Sequence, residues 1–125
     1  MKIRCDFVTN SSSSSYIIAR RKDFKRKDIL QFLKDNSDWY EKIIKDRLTN
    51  WSYYYKNRED IVSKIGDKES CTEDIAEQIV DLGDMEVGDY LVSTIRVDSD
   101  DLDLLGEFIE CAPTNDNFKI KCVGD

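Results

Sequence analysis

The chain has 125 residues, with 26 acidic and 19 basic side chains, no histidine and a net charge of −7; 36% of its residues are charged and 40% hydrophobic. That length suits one domain around a single core, residues 1–125, and a 10% aromatic fraction with a single proline excludes a disordered chain. Its longest apolar run near the N-terminus, Tyr16-Ile17-Ile18-Ala19, is far short of the roughly 20 residues that span a bilayer, so no membrane partner is expected.

In chain order, Met1, Ile3, Cys5 and Phe7 alternate with Lys2, Arg4 and Asp6, the period of a half-buried strand. No apolar stretch of signal-peptide type follows the basic start, so a cytoplasmic location is the expectation. Thr9, Asn10 and Ser11, Ser12, Ser13, Ser14 and Ser15 read as a flexible loop, and Tyr16 to Ala19 as a second short strand. Asp28 is placed to cap a helix carrying Ile29, Leu30, Phe32 and Leu33. From Tyr40 the steps of three and four through Ile44, Leu48, Trp51, Tyr55, Arg58, Val62 and Ile65 predict one long helix over about 38–65. The alternative is a break at Thr49-Asn50, because Trp51-Ser52-Tyr53-Tyr54-Tyr55 also has strand propensity. The aromatic residues then lie largely on an apolar stripe and serve core packing.

Ser70 and Glu73 form a capping box for a helix near 71–82, which Gly83 stops. Asp89 to Val97 reads as a strand with Leu91, Ile95 and Val97 on one side. Asp98 or Ser99 caps a further helix with Leu102, Leu105 and Ile109, ended by Pro113. Phe118, Ile120 and Cys122 alternate with lysines in a last strand. The order ββαααβαβ predicts a small α+β domain with a mostly antiparallel sheet of about four strands.

Motifs that carry chemistry are scarce. Cys5, Cys71, Cys111 and Cys122 include no C-x-x-C pair and, in a reducing compartment, read as free thiols packed as small hydrophobes. A zinc site would need all four from distant segments. The run Asp98-Ser99-Asp100-Asp101-Leu102-Asp103 fails as a calcium loop in both registers, since leucine falls at a ligand position. No phosphate-binding glycine loop is present, so neither metal nor cofactor is expected. Cys71, at the start of a capped helix, has one ingredient of a nucleophile but no histidine to serve as its base. It stands, with carboxylate pairs, for the minority reading of a small enzyme.

Charge is the strongest signal. Residues 1–66 carry 15 basic and 9 acidic side chains, whereas residues 67–125 carry 4 and 17. The acidic half clusters Asp81, Asp84, Glu86 and Asp89, then Asp98, Asp100, Asp101 and Asp103. Such a surface repels nucleic acid and raises the encounter rate with basic protein surfaces, so another protein with a basic surface is the expected partner. The alternative is a nucleic-acid-binding module using Arg20, Arg21, Lys22, Lys25, Arg26 and Lys27, which fall within eight positions. The remaining possibility is that the two halves neutralise each other. The serine run offers hydroxyls for modification or for holding an anion, and a phosphate there would neutralise the neighbouring cations.

Met1-Lys2-Ile3-Arg4, Asp6-Phe7-Val8-Thr9-Asn10, Ser11 to Ser15 and Tyr16-Ile17-Ile18 together resemble the opening of a group of small uncharacterised proteins from Gram-positive bacteria and their phages. Their signature is an asparagine–polyserine–aromatic run; here Tyr16 stands where phenylalanine is more usual. The resemblance covers about the first 18 residues. It implies a bacterial or phage setting and a shared processing or recognition role for this segment. In a phage setting, an acidic interaction protein would be an inhibitor occupying a nucleic-acid-binding groove of a host enzyme.

Overall fold

The computed structural model describes residues 13–98 and 103–124. Its elements are β1 (Ser13–Arg21), α1 (Arg26–Asp35), α2 (Asp38–Asn50), α3 (Arg58–Ile65), α4 (Lys68–Val80), β2 (Met85–Val87), β3 (Tyr90–Asp98), α5 (Leu104–Cys111) and β4 (Phe118–Gly124). The four strands form one antiparallel sheet in the order β2-β3-β1-β4, so the fold is α+β. The strand expected over Met1–Phe7 lies outside the described residues.

One face of the sheet is sealed by helices. Tyr16 and Ile18 of β1 and Phe118 of β4 are buried, and they meet Phe24, Ile29 and Leu33 around α1, Trp39, Ile43 and Ile44 of α2, Ile75 and Ile79 of α4, and Phe108 of α5. Trp39 meets Phe108 edge-to-face with ring centroids 5.4 Å apart, which ties α2 to α5. α5 in turn packs on β3 at Gly106, where an added Cβ would lie 3.1 Å from Val97 Cγ1. Strict alternation along β1 turns Ser14, Tyr16, Ile18 and Arg20 inward and Ser15, Ile17, Ala19 and Arg21 to the opposite face.

Several expectations change. The long helix over 38–65 is two helices, separated by a turn over residues 51–57. Trp51 N–H closes α2 on Arg47 O at 3.0 Å, and Asn57 opens α3 by accepting from Asp60 N–H at 2.9 Å. The apolar stripe slips by one residue across the turn: Ile61 is fully buried where Val62 was expected, and Leu48 is exposed. Tyr55 causes the turn to pay off, since its hydroxyl accepts from Arg47 Nη1 at 2.5 Å inside the core.

α4 starts earlier than expected because Asp67, not Ser70, is its cap, accepting from Ser70 N–H at 2.8 Å. Asp103 caps α5, accepting from Gly106 N–H at 3.3 Å, while Asp98 ends β3. Asp28 supports α1 from its third position, accepting from Lys25 N–H at 3.1 Å. β2 was not foreseen. It is three exposed residues joined to β3 by Gly88-Asp89, where Gly88 takes φ +60, the geometry a two-residue hairpin turn needs.

Candidate functional site

The basic segment and the acidic cluster are brought together, and they pair with each other. Arg20 points into the protein and is 7% exposed; its Nη1 donates to Phe24 O at 3.1 Å and its Nη2 to Val80 O and Leu82 O, both at 3.3 Å. Burial lowers the pKa of its guanidinium. Arg21 lies over the Tyr90 ring, 5.3 Å from its centroid, with Asp89 at 3.8 Å. Its hydrogen bond to the Tyr90 hydroxyl raises its pKa. Lys22 bonds Glu86 at 2.9 Å, and Arg26 sits 3.6 Å from Glu77 and 3.9 Å from Glu73. Lys25 is the α1 cap residue and Lys27 is exposed. Three of the six cations thus serve as counter-ions to carboxylates of the second half, and a fourth is buried.

The acidic residues divide into two groups. Asp81, Asp84, Glu86 and Asp89 follow one another around the α4–β2–β3 turns. Asp98 and Asp103 stand at the far end of β3, about 30 Å away for nine residues of strand. Asp98 pairs with Arg96 at 3.6 Å, and Asp100 and Asp101 lie outside the described residues. Asp81 and Asp84 are exposed and have no ion-pair partner among the described residues. Their backbone is firmly held: Arg20 grips the carbonyls on either side of Asp81, and Asp84 N–H donates to Ser93 Oγ at 3.2 Å.

Sequence reasoning missed the continuation of this group along α4. Glu69, Glu73 and Glu77, with the C-cap Asp81, are exposed and spaced by four, so they form one ridge about 18 Å long, with Asp74 beside it. The four-residue spacing was the available signal.

The other side of the sheet carries the opposite charge. Register places Arg21, Arg96, Lys119 and Lys121 on its outer face around Ile17, Ala19, Tyr90 and Val92, with Met85 and Val87 of β2 at one side. A groove of about 590 Å³ lies there, lined by Ile17, Ala19, Lys119, Lys121 and the 114–116 loop.

Ser13, Ser14 and Ser15 belong to β1 rather than to a loop, and Ser14 is buried; Ser11 and Ser12 lie outside the described residues. Pairing of all three with β3, and of Ser15 with β4 as well, overrides the weak strand propensity of serine. Cys71 is at the fourth position of α4, 1% exposed, with its Sγ 3.3 Å from Ile65 O. Burial pushes its thiol up to about 11, the opposite of an activated nucleophile. Cys111 is a free thiol as well, whereas Cys122 is disulfide-bonded, which corrects the expectation of four free thiols. No metal-holding group of side chains occurs among the described residues, and no helix there is long and apolar enough to cross a membrane. The aromatics also divide: Tyr55 and Trp39 are core residues, but Tyr53 is 98% and Tyr54 58% exposed, on the turn that breaks the expected helix.

Comparison with protein-family models, with curated proteins and with solved structures finds no match.

Proposed function

We propose that this chain is a small protein-interaction module whose α4–β2 surface docks a basic surface of another protein. The observation that carries this reading is the exposed ridge Glu69, Glu73, Glu77 and Asp81, prolonged by Asp84. Arg26 lies beside Glu73 and Glu77, which leaves Glu69, Asp81 and Asp84 as the uncompensated charges of the ridge among the described residues. An acidic excess of this kind steers oppositely charged partners and raises association rates. Successive ridge carboxylates rise about 6 Å along the helix axis, near the ~6.8 Å rise of two nucleotides on one strand. That spacing suits a groove built for nucleic acid, and the N-terminal resemblance implies a bacterial or phage setting, in the second of which such a groove would belong to a host enzyme.

The test is capture of a partner with the intact chain, with and without nuclease, followed by two charge reversals. Asp81→Lys with Asp84→Lys is expected to lower recovery at least tenfold while the circular dichroism spectrum is unchanged. Glu86→Lys with Asp89→Lys is expected to do less, because those carboxylates already have Lys22 and Arg21 as counter-ions. Recovery that survives reversal of Asp81, Asp84 and Glu69 in a folded variant removes the reading.

A second reading keeps nucleic acid as the ligand but moves the site. The exposed rings of Tyr53 and Tyr54, next to Lys56, offer bases something to stack on, which the 20–27 segment does not. A gel-shift titration across salt decides it: binding that is lost with Tyr53→Ser and falls steeply with salt supports this alternative.

A further inference from the structure

We propose that the outer face of the sheet is a second docking surface, for an acidic protein segment bearing aliphatic side chains. It is independent of the α4 ridge, which belongs to the helical side of the molecule. The second half of the chain has only four cations, Lys68, Arg96, Lys119 and Lys121, and three of them project from this face. Arg21 joins them from β1. Among the described residues, Asp98 is the one carboxylate at an outer-face strand position, and Arg96 already pairs with it. In a chain of net charge −7, composition does not produce such a face by default.

Two cations there have no ion pair within 4 Å among the described residues: Lys119 and Lys121 flank the groove whose floor is Ile17 and Ala19, and they outnumber its one lining carboxylate, Asp116. They stand two residues apart on one strand, about 7 Å, so they present paired positive charges beside an apolar strip. The strip continues across the sheet through Val92 to Met85, which is 59% exposed, and Val87, which is 53% exposed. Solvent-facing sides of antiparallel sheets are ordinarily polar, and contiguous exposed apolar patches mark binding sites.

The floor also selects the class of partner. Nucleic acid on a sheet needs exposed aromatic rings, and among the described residues the one aromatic at an outer-face strand position, Tyr90, is engaged. Both Arg21 and Lys119 lie 5.3 Å from the Tyr90 ring centroid, and its hydroxyl donates to Asp116 O at 2.9 Å. What remains is aliphatic, which suits leucine or valine side chains, with carboxylates placed against Lys119 and Lys121.

The experiment is an NMR titration of the ¹⁵N-labelled full chain with a synthetic 14-residue peptide of alternating glutamate and leucine. Controls are the lysine–leucine counterpart and a 15-nucleotide oligo-dT. Amide shifts confined to Ile17, Ala19, Val92, Lys119 and Lys121 are expected for the acidic peptide alone. The combination Lys119→Glu with Lys121→Glu is expected to weaken binding at least tenfold, with the remaining amide spectrum intact. Asp81→Lys with Asp84→Lys is expected to leave it unchanged, so failure here and failure of the α4 ridge are separate results. No shift at millimolar peptide, shifts on other elements, or equal perturbation by oligo-dT each overturns the proposal.

Discussion

Arg47 and Glu107 are 60 residues apart in the chain, yet Arg47 Nε donates to Glu107 Oε1 at 2.7 Å. Arg47 is 3% exposed and Glu107 9%, so the pair joins α2 to α5 inside the core, and Tyr55 completes it from the turn before α3. A buried ion pair contributes little net stability, but removing one partner strands a charge. Arg47→Met is expected to destabilise by about 3–5 kcal/mol. Replacing both residues, Arg47→Met with Glu107→Met, is expected to recover most of that loss. Urea denaturation of the two single variants and the double variant measures the coupling, and additive losses would disprove it.

The turn between α2 and α3 makes a sharper prediction than a continuous helix would. Asn57 caps α3 through its side chain, so Asn57→Ala is expected to cost about 1 kcal/mol in chemical denaturation. Tyr53 is 98% exposed, so Tyr53→Ser is expected to change stability by no more than about 0.5 kcal/mol. In a continuous helix Asn57 would be an interior residue, and alanine there would stabilise instead.

How much of this was legible beforehand depends on the range of the interactions. The apolar run Tyr16 to Ala19, the one-sided Leu91, Ile95 and Val97, and the alternation in Phe118 to Cys122 marked three of the four described strands, because these signals need only near neighbours. The turn at 51–57 was obscured because Trp51 and Tyr55 keep a helical spacing while the burial phase shifts from Val62 to Ile61. β2 was too short to read: Met85-Glu86-Val87 is a single period of alternation, and all three residues are exposed. The charge of Arg20 was plain, but its direction was not: whether it meets solvent or the carbonyls of Val80 and Leu82 is decided by a contact 60 residues away. Likewise the acidic half was visible as composition, and only the fold shows that Glu69, Asp81 and Asp84 stand uncompensated among the described residues while Lys22, Arg21 and Arg26 lie against Glu86, Asp89, Glu73 and Glu77.

Cys71 links burial to pH. Its folded thiol pKa of about 11 stands above the ordinary 9.0, so between those values the native state holds a proton that the unfolded chain releases. The contribution is therefore complete below about pH 9 and is lost as pH rises toward 11, by at most about 2–3 kcal/mol. Denaturation midpoints at pH 8 and pH 10.5 are expected to fall more steeply for the native sequence than for Cys71→Ala. A thiol reagent at pH 8 is expected to reach Cys111 well before Cys71, and rapid native-state modification of Cys71 would contradict its burial.

Arg20 provides the strongest separation between a structural cation and a phosphate-binding one. Its guanidinium satisfies three carbonyls, from Phe24, Val80 and Leu82, while its Nε is buried without a partner. Replacement by methionine keeps the apolar stem but leaves those carbonyls unpaired, at a cost of about 1–3 kcal/mol. The same change frees the end of α4, where Asp81 and Asp84 sit. Arg20→Met is therefore expected to lower the denaturation midpoint, to speed amide exchange at residues 80–84, and to weaken partner capture in proportion to that loosening. Lys27→Met, at an exposed position, is expected to do none of these. If Arg20 instead met phosphate, its replacement would leave amide exchange untouched and reduce the salt slope of nucleic-acid binding by about one charge.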